Sequence, residues 1–567
     1  MRTHIIRNII IALFFIITID LFYMQVIRGG YFFRQSETNS IRIIPFEGKR
    51  GRILDRNGKV LADNKKSFCV TIIPQDQKDK KEVFHFLARV LGLEAAGLEA
   101  RFKKNKLTPF SPVIVAEGIT RQQAIMIEES SYQYPGLLVL EHYSRYYPFT
   151  EMGGHVIGYV GKADEEKMRL IQQYGYSPQD PVGYSGIEQY YDNELRTQPG
   201  GRQIQVNSRG QQVRLLSLRQ PSEGKDLVLT LDQDIQTAAQ KVLASRPGAA
   251  VFLDPDNGEV LGLVSSPGFD PNAFSEHEDR SLVVGYLRDT ASPLMNRASG
   301  AQFPPGSVFK IIVASAALQE RKIKPTTVFD CPGYFDLGGR HFTFAHAFGQ
   351  QDLIQAMGHS ANEYFFNTGL DLGRDMIARY AAQFGLDEAT GIDIPYEAKG
   401  SIPRRNAMAR WFAGDTANMS IGQGGVMSTP LQLARLMATV ENEGRMVMPH
   451  IRKSLGGVDN VAPFTSSRFV VLRPEVWQAL KLSLRAVVKM ETGTAKILDL
   501  PDLLIYGKTG TAQAGPGKGD HAWFAGVVQT AKRKLAFAVL LEHGGSSANA
   551  CLAVKEILLE LQSGGVI

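Results

Sequence analysis

Cysteine is almost absent from this chain. The 567 residues hold three, Cys69, Cys331 and Cys551, far apart and without a Cys-x-x-Cys pair. A disulfide scaffold and a zinc ribbon are thereby excluded. A surplus of one charge is missing from most of the sequence too. The first 60 residues carry ten Lys/Arg against four Asp/Glu, which accounts for the whole net charge of +6, and the remaining 507 are balanced. A general nucleic-acid-binding surface needs a basic face and finds no support here. Internal repeats and low-complexity stretches are also lacking. With 44% hydrophobic and 21% charged residues, the chain is neither disordered, collagenous nor a coiled coil. Its length allows roughly two to four domains.

Only one apolar run is long enough to cross a bilayer. Residues 9–27 are interrupted only by Thr18, Asp20 and Gln25, and as a helix they reach about 28 Å at ~1.5 Å per residue. No small-x-small cleavage site follows, so the run is expected to stay as an uncleaved anchor rather than a removed signal peptide. Arg28 and Arg34 flank it as densely as Arg2 and Arg7, and the positive-inside rule hardly discriminates. The expected arrangement is a cytoplasmic tail over residues 1–7, a transmembrane helix over 8–28 and export of the rest. Asp20 within the span is costly in lipid. It either contacts a partner membrane protein or reaches the headgroups.

After the anchor, Asn57-Gly58 between apolar runs predicts a hairpin. Residues 80–131 read as helices, with helical spacing over 82–93 and 120–129, and residues 155–235 as short strands broken by glycine. Nothing there pairs a nucleophile with a base. In the second half, Asp254-Pro255-Asp256-Asn257-Gly258 predicts another hairpin. Residues 503–508, 523–528 and 535–541 read as strands and 551–561 as a closing amphipathic helix. An antiparallel sheet with helices on both sides follows. The fold class is α+β and multidomain, with a mixed α/β part over residues 29–240 and a second part over 241–567.

The chemistry concentrates in that second part. Pro304-Pro305-Gly306 precedes Ser307-Val308-Phe309-Lys310 and an Ala-rich run, so a helix is expected to begin at Ser307, its hydroxyl at the positive helix end and Lys310 on the same face. Serine needs a base. A lysine serves only if burial and a neighbouring cation depress its pKa, so the chemistry demands a second positive charge. Lys508-Thr509-Gly510-Thr511, at the end of an apolar strand, supplies it. A strand edge there can pair with an extended peptide, Gly510 permits close approach, and the hydroxyls of Thr509 and Thr511 can hold a carboxylate. The amides of Ser307 and Thr511 are the expected oxyanion hole. Ser360-Ala361-Asn362 offers a proton relay through Ser360 and an amide contact through Asn362. Two look-alikes are set aside: Ser222-Glu223-Gly224-Lys225 lies in a polar turn, and Glu491-Thr492-Gly493-Thr494 lacks the lysine. The order and spacing of the three elements, 53 and 148 residues apart, carry the signal.

With that trio the sequence resembles the penicillin-binding and serine β-lactamase superfamily, whose motif set it is. More narrowly it is similar to class B penicillin-binding proteins. Arg50-Gly-Arg-Ile-Leu-Asp-Arg-Asn-Gly58, Tyr146-Tyr147-Pro148, His155-Val-Ile-Gly158, Gly186-Ile187-Glu188 and Ser420-Ile421-Gly422-Gln423-Gly424 with Thr429-Pro430 match its pedestal and catalytic domains. Met295-Asn296-Arg297-Ala298 and Glu542-His543-Gly544-Gly545 resemble the elongation type more than the division type. The resemblance implies a pedestal (dimerisation-type) domain over 29–240 and a transpeptidase domain over 241–567 on the extracytoplasmic side. It implies peptidoglycan D,D-transpeptidase activity: Lys310 takes the proton of Ser307, which attacks the penultimate D-Ala carbonyl of a stem peptide, with possible D,D-carboxypeptidase side activity. Catalytic Ser307, Lys310, Ser360 and Lys508 and substrate-binding Asn362, Thr509, Gly510 and Thr511 follow. β-Lactams are implied to acylate Ser307. No cofactor is implied. The implied partners are stem peptides on nascent glycan strands, a SEDS-family glycosyltransferase and other elongation-complex proteins.

Two departures stand out. Phe348-Gly349-Gln350 occupies the place where the family often shows His-Gly, and Asp330, Cys331, Asp336, His341, His346 and His359 crowd the same region. No pair among them has standard ligand spacing, so no metal is expected. The alternatives are a division-type transpeptidase, a β-lactam-hydrolysing enzyme, which needs a water-activating group that no Glu-x-x-Leu-Asn element supplies, and a catalytically silent scaffold or receptor.

Overall fold

The computed structural model describes residues 2–567 except 78, 107, 172, 174–175, 177–179, 208–211, 245, 276–278, 405–409 and 460–467. The described chain forms two compact units. One comprises residues 1–50, 64–144 and 196–224, the other 51–63, 145–195 and 225–567.

The first unit opens with the helix Arg2–Phe22, continued by a wider π-type turn over Tyr23–Ile27 and the helix Gly29–Ser40. Residues His4–Ile27 are long and apolar enough to cross a membrane, and none is buried by the chain. Next comes a three-stranded antiparallel sheet, Ile41–Phe46 beside Gly200–Val206 beside Gln212–Arg219. The strand Val60–Ile72, in this unit from Asn64 onward, pairs antiparallel with Val113–Ile119 through Phe68–Ile72 and also with Leu137–Tyr146, and helices Lys80–Leu91, Ala95–Asn105 and Arg121–Ser130 accompany them. Asp79 caps the first of these by accepting from Lys81 and Glu82 amides, Gly92 ends it in the left-handed region, and Val83, Phe84 and Leu87 form its buried stripe. The strand Val113–Ile119 corrects the all-helical expectation for 80–131. Its Val-Ile-Val run is β-branched and fits the pleat better than a helix.

In the second unit the Asp55–Gly58 turn joins strands as expected. Asp55 Oδ1 accepts from the amides of Asn57 and Lys59 at 2.8 Å, and Gly58 takes φ +83°. The stretch 155–235 is corrected: short helices Gly154–Ile157, Gly186–Tyr190, Asp192–Leu195 and Gln233–Leu243 alternate with its strands. These segments are too short for periodicity to decide, and tertiary packing does. A Cβ on Gly158 would sit 1.8 Å from the Ser185 carbonyl, and one on Gly186 2.3 Å from that of Val156. Beside this interlock the buried Arg145 donates to Glu188 at 2.6 Å.

The centre of the second unit is a five-stranded antiparallel sheet in the order Val260–Ser266, Gly248–Leu253, Lys534–Leu541, His521–Gln529, Leu504–Ala512. Every residue of the first two strands is buried, so helices cover both faces, as the unbroken apolar runs require. Gln233–Leu243 and Ser547–Ser563 pack with each other and the sheet, as do Pro430–Glu441 and Pro474–Lys489. Lys310–Gln319 is a core helix, buried from Lys310 through Leu318.

Candidate active site

The α-helix starts at Lys310 and not, as expected, at Ser307; a tighter 3-10 turn, Gly306–Phe309, leads into it. Gly306 adopts φ +54°, and a Cβ there would lie 2.7 Å from the Thr511 carbonyl. The turn is therefore shaped by a residue that only glycine satisfies, with the end of the edge strand pressed against it. Gly422 buttresses it from another side: its carbonyl accepts the Gly306 amide at 3.1 Å, and a Cβ on Gly422 would sit 2.2 Å from the Gly306 oxygen. The Trp523 indole donates to the Pro304 carbonyl at 3.0 Å. Ser307 is left partly exposed, and among the described residues its hydroxyl makes no hydrogen bond.

Lys310 is fully buried. Its Nζ donates to the Ser360 carbonyl and to Asn362 Oδ1, both at 2.7 Å, and lies 3.3 Å from Ser360 Oγ. Burial, followed by the charge of Lys508, holds its pKa well below the ordinary lysine value, while Glu363 pulls the other way. A neutral amine has two hydrogens and one lone pair. Both carbonyl acceptors can only receive, so they fix the hydrogens and leave the lone pair free. The backbone delivering one of them is strained: Ser360 is non-glycine at φ +58°, a conformation associated with functional sites.

Lys508 is also fully buried, its pKa lowered to about 7 by burial. Its Nζ donates to Thr509 O at 3.2 Å and Thr509 Oγ1 at 3.3 Å. The strand carrying it, Leu504–Ala512, is an edge of the sheet, with one row of backbone groups left for another extended chain. A Cβ on Gly510 would lie 2.8 Å from the Pro305 carbonyl. Thr511 is exposed, its Oγ1 accepting from the Ser547 amide at 3.2 Å, whereas Thr509 is only 2% exposed. The structure thus gathers the three elements around one partly exposed serine. This arrangement can deprotonate a hydroxyl, receive an extended peptide and neutralise an anion.

The penicillin binding protein transpeptidase domain model matches residues 248–560, and the penicillin-binding protein dimerisation domain model residues 45–229. The chain belongs to the penicillin-binding protein transpeptidase family. Among its relatives, the peptidoglycan D,D-transpeptidase MrdA of Haemophilus influenzae is 31% identical, over 95% of this chain and 88% of that protein. A penicillin-binding protein (PBP2) from Helicobacter pylori, solved in complex with MreC, matches with TM-score 0.81 and 27% identity over 93% of this chain and all of that one. A structure describing coordination of polymerization and crosslinking by a peptidoglycan synthase complex matches with TM-score 0.73 and 30% identity, over 99% of this chain and 98% of that one.

Within this penicillin-binding fold, two side chains near the site went unread in the sequence. Glu363, 1% exposed, follows Asn362 in the first turn of its helix and accepts the Gly333 amide at 3.0 Å. Its signal was an acid one residue after Ser-x-Asn. Thr494, in the look-alike set aside for lacking lysine, bonds Thr509 Oγ1 at 2.8 Å. The crowded acids and histidines disperse: His341 bonds Asp336, and Cys331 is a buried thiol pushed up to about 12 by burial and then by the charge of Glu363. His359 stacks on Phe348 at 4.6 Å and joins Gln351 and Thr492, each at 2.7 Å. Among the described residues no three potential ligands meet.

Proposed function

We propose that Ser307 is the nucleophile through which this chain, a serine-type peptidoglycan D,D-transpeptidase of the elongation type, cross-links stem peptides. The observation carrying this reading is the buried Lys310 amine, its hydrogens claimed by Ser360 O and Asn362 Oδ1 and its proton affinity lowered by burial and by Lys508. Lys310 accepts the Ser307 proton as Oγ attacks the penultimate D-Ala carbonyl, directly or through Ser360 Oγ. The same proton returns to the departing D-Ala amine. An amine of a neighbouring stem peptide then resolves the acyl-enzyme. Asn362 and the edge strand hold the peptide, the Lys508-Thr509-Gly510-Thr511 motif the terminal carboxylate, with Thr511 its exposed hydroxyl, and the amides of Ser307 and Thr511 the oxyanion.

The substrate's chemistry sets the compartment. The cross-linked wall lies outside the cell membrane, so this reading puts the catalytic unit on the extracytoplasmic side with His4–Ile27 as a single-pass anchor. Glycan polymerisation falls to a partner, a SEDS-family glycosyltransferase, with other elongation-complex proteins alongside. The MreC complex of the Helicobacter pylori protein and the synthase complex with 30% identity support that reading. Labelled penicillin tests the chemistry: a covalent adduct with slow turnover is expected on the parent and none on Ser307→Ala. Labelling that persists in Ser307→Ala moves the nucleophile elsewhere.

A further inference from the structure

The carboxylate-binding role given above to the strand motif meets a difficulty in the geometry. Thr509 is 2% exposed, so its hydroxyl does not itself reach a ligand arriving from solvent. Thr494 covers it. This exposed residue sits in the loop between the helix Pro474–Lys489 and the edge strand, and its Oγ1 lies 2.8 Å from Thr509 Oγ1. The loop is tightly located. The Thr494 amide donates to the Gly358 carbonyl at 3.1 Å, His359 meets Thr492 Oγ1 at 2.7 Å, and a Cβ on Gly493 would fall 2.5 Å from the Val487 carbonyl. Thr494 therefore bridges the segment that ends in Ser360 and the strand that carries Lys508.

Counting hydrogens gives the bridge a direction. Lys508 as an ammonium can only donate, and it donates to Thr509 Oγ1 at 3.3 Å. Thr509 has one hydrogen, and Thr494 Oγ1 is its side-chain neighbour. Among the described residues the Thr494 hydrogen then has only the Gly358 carbonyl, at a long 3.3 Å. A carboxylate oxygen is a better acceptor than a distant amide carbonyl. We propose that Thr494 is a donor this chain presents, in addition to the exposed Thr511, to the terminal carboxylate of its substrate, with Thr509 the buried link to Lys508. Aligned hydroxyls polarise one another, so the ammonium's pull is felt at Thr494 without the lysine being exposed.

The inference rests on the acyl-transfer reading, and the test separates the two. The full-length protein in detergent is acylated with benzylpenicillin and with its methyl ester, in the parent, Thr494→Val, Thr494→Ser and Ser307→Ala forms. The parent is expected to react faster with the free acid. Thr494→Val, which keeps shape but loses the hydroxyl, is expected to cut that acid-over-ester preference about tenfold, and Thr494→Ser to retain it. Equal slowing of both probes in Thr494→Val, or an unchanged preference, overturns the assignment. Should Thr494→Val not fold, loss of the preference in Thr494→Ala decides in the same way. An unlabelled parent, or a labelled Ser307→Ala, overturns the acyl-transfer reading itself.

Discussion

In the mechanism proposed above, two lysines with no exposed surface govern the reactivity of one serine, and their opposite requirements make the site pH-sensitive. Lys310 must be neutral to accept a proton; Lys508 must be charged to lower the proton affinity of Lys310 and to bind an anion. The pKa of Lys310 lies well below the ordinary lysine value, so its protonation limits the rate on the acid side. Lys508, lowered to about 7, loses its charge as pH rises past that value, and the rate falls again. The second-order acylation constant, which reports the free protein, is expected to be bell-shaped in pH with its alkaline limb near 7. A guanidinium stays charged throughout, so Lys508→Arg is expected to react more slowly but to show no alkaline limb up to about pH 9. Penicillin labelling rates across that range check both; a parent flat through the alkaline range contradicts the assignment.

At the scale of elements, the family segments prove to be joints. Met295-Asn296-Arg297-Ala298 and Glu542-His543-Gly544-Gly545 lie far apart in sequence, yet Arg297 Nε donates to Glu542 Oε2 at 2.6 Å with 3% and 18% of the side chains exposed. The same guanidinium donates to the Ala291 and Ser292 carbonyls at 2.7 and 3.1 Å. Arg297→Ala leaves a largely buried carboxylate without its guanidinium and is expected to lower stability by about 3–5 kcal/mol, read as a fall in the thermal midpoint, while Arg297→Lys recovers only part because the planar fork is lost. This joint also marks what a sequence can tell. The hairpin at Asp254–Gly258 and the strands after residue 500 were legible because turn chemistry and apolar runs are local signals. Ser307, Lys310 and Lys508 could be proposed from the sequence because each stands in a recognisable local context, and the structure brings their elements together. Thr494 and Glu363 were not legible. Thr494 matters through Gly358 and Thr509, Glu363 through Gly333 and the charge on Lys310, and none of these contacts leaves a periodic trace. The helix start was misplaced by three residues because the positive φ of Gly306 depends on Thr511, some two hundred residues away.

At the scale of the whole molecule, the anchor and the chemistry belong to different units. His4–Ile27 presents its apolar side chains outward and lies in the first unit, whereas all eight proposed site residues lie in the second, whose hydrophobic core is one cluster with members from Ile53 to Ile567. The first unit has separate clusters around Phe84 and Ile204. Acylation by a small molecule uses only the second unit, but cross-linking brings together two glycan strands, and an anchor raises their effective concentration by holding the enzyme where they emerge. A chain lacking residues 2–40 is therefore expected to leave the membrane fraction and to label with penicillin within about twofold of the parent rate, since the truncation removes residues of the first unit alone. The same chain is expected to cross-link membrane-bound nascent glycan at least about tenfold more slowly, the low end of the gain from tethering. Sedimentation, gel labelling and muropeptide analysis read the three quantities separately. Equal loss of labelling and cross-linking would mean that the first unit supports the active-site geometry itself, and the anchor would then have to be counted among the parts that shape the serine.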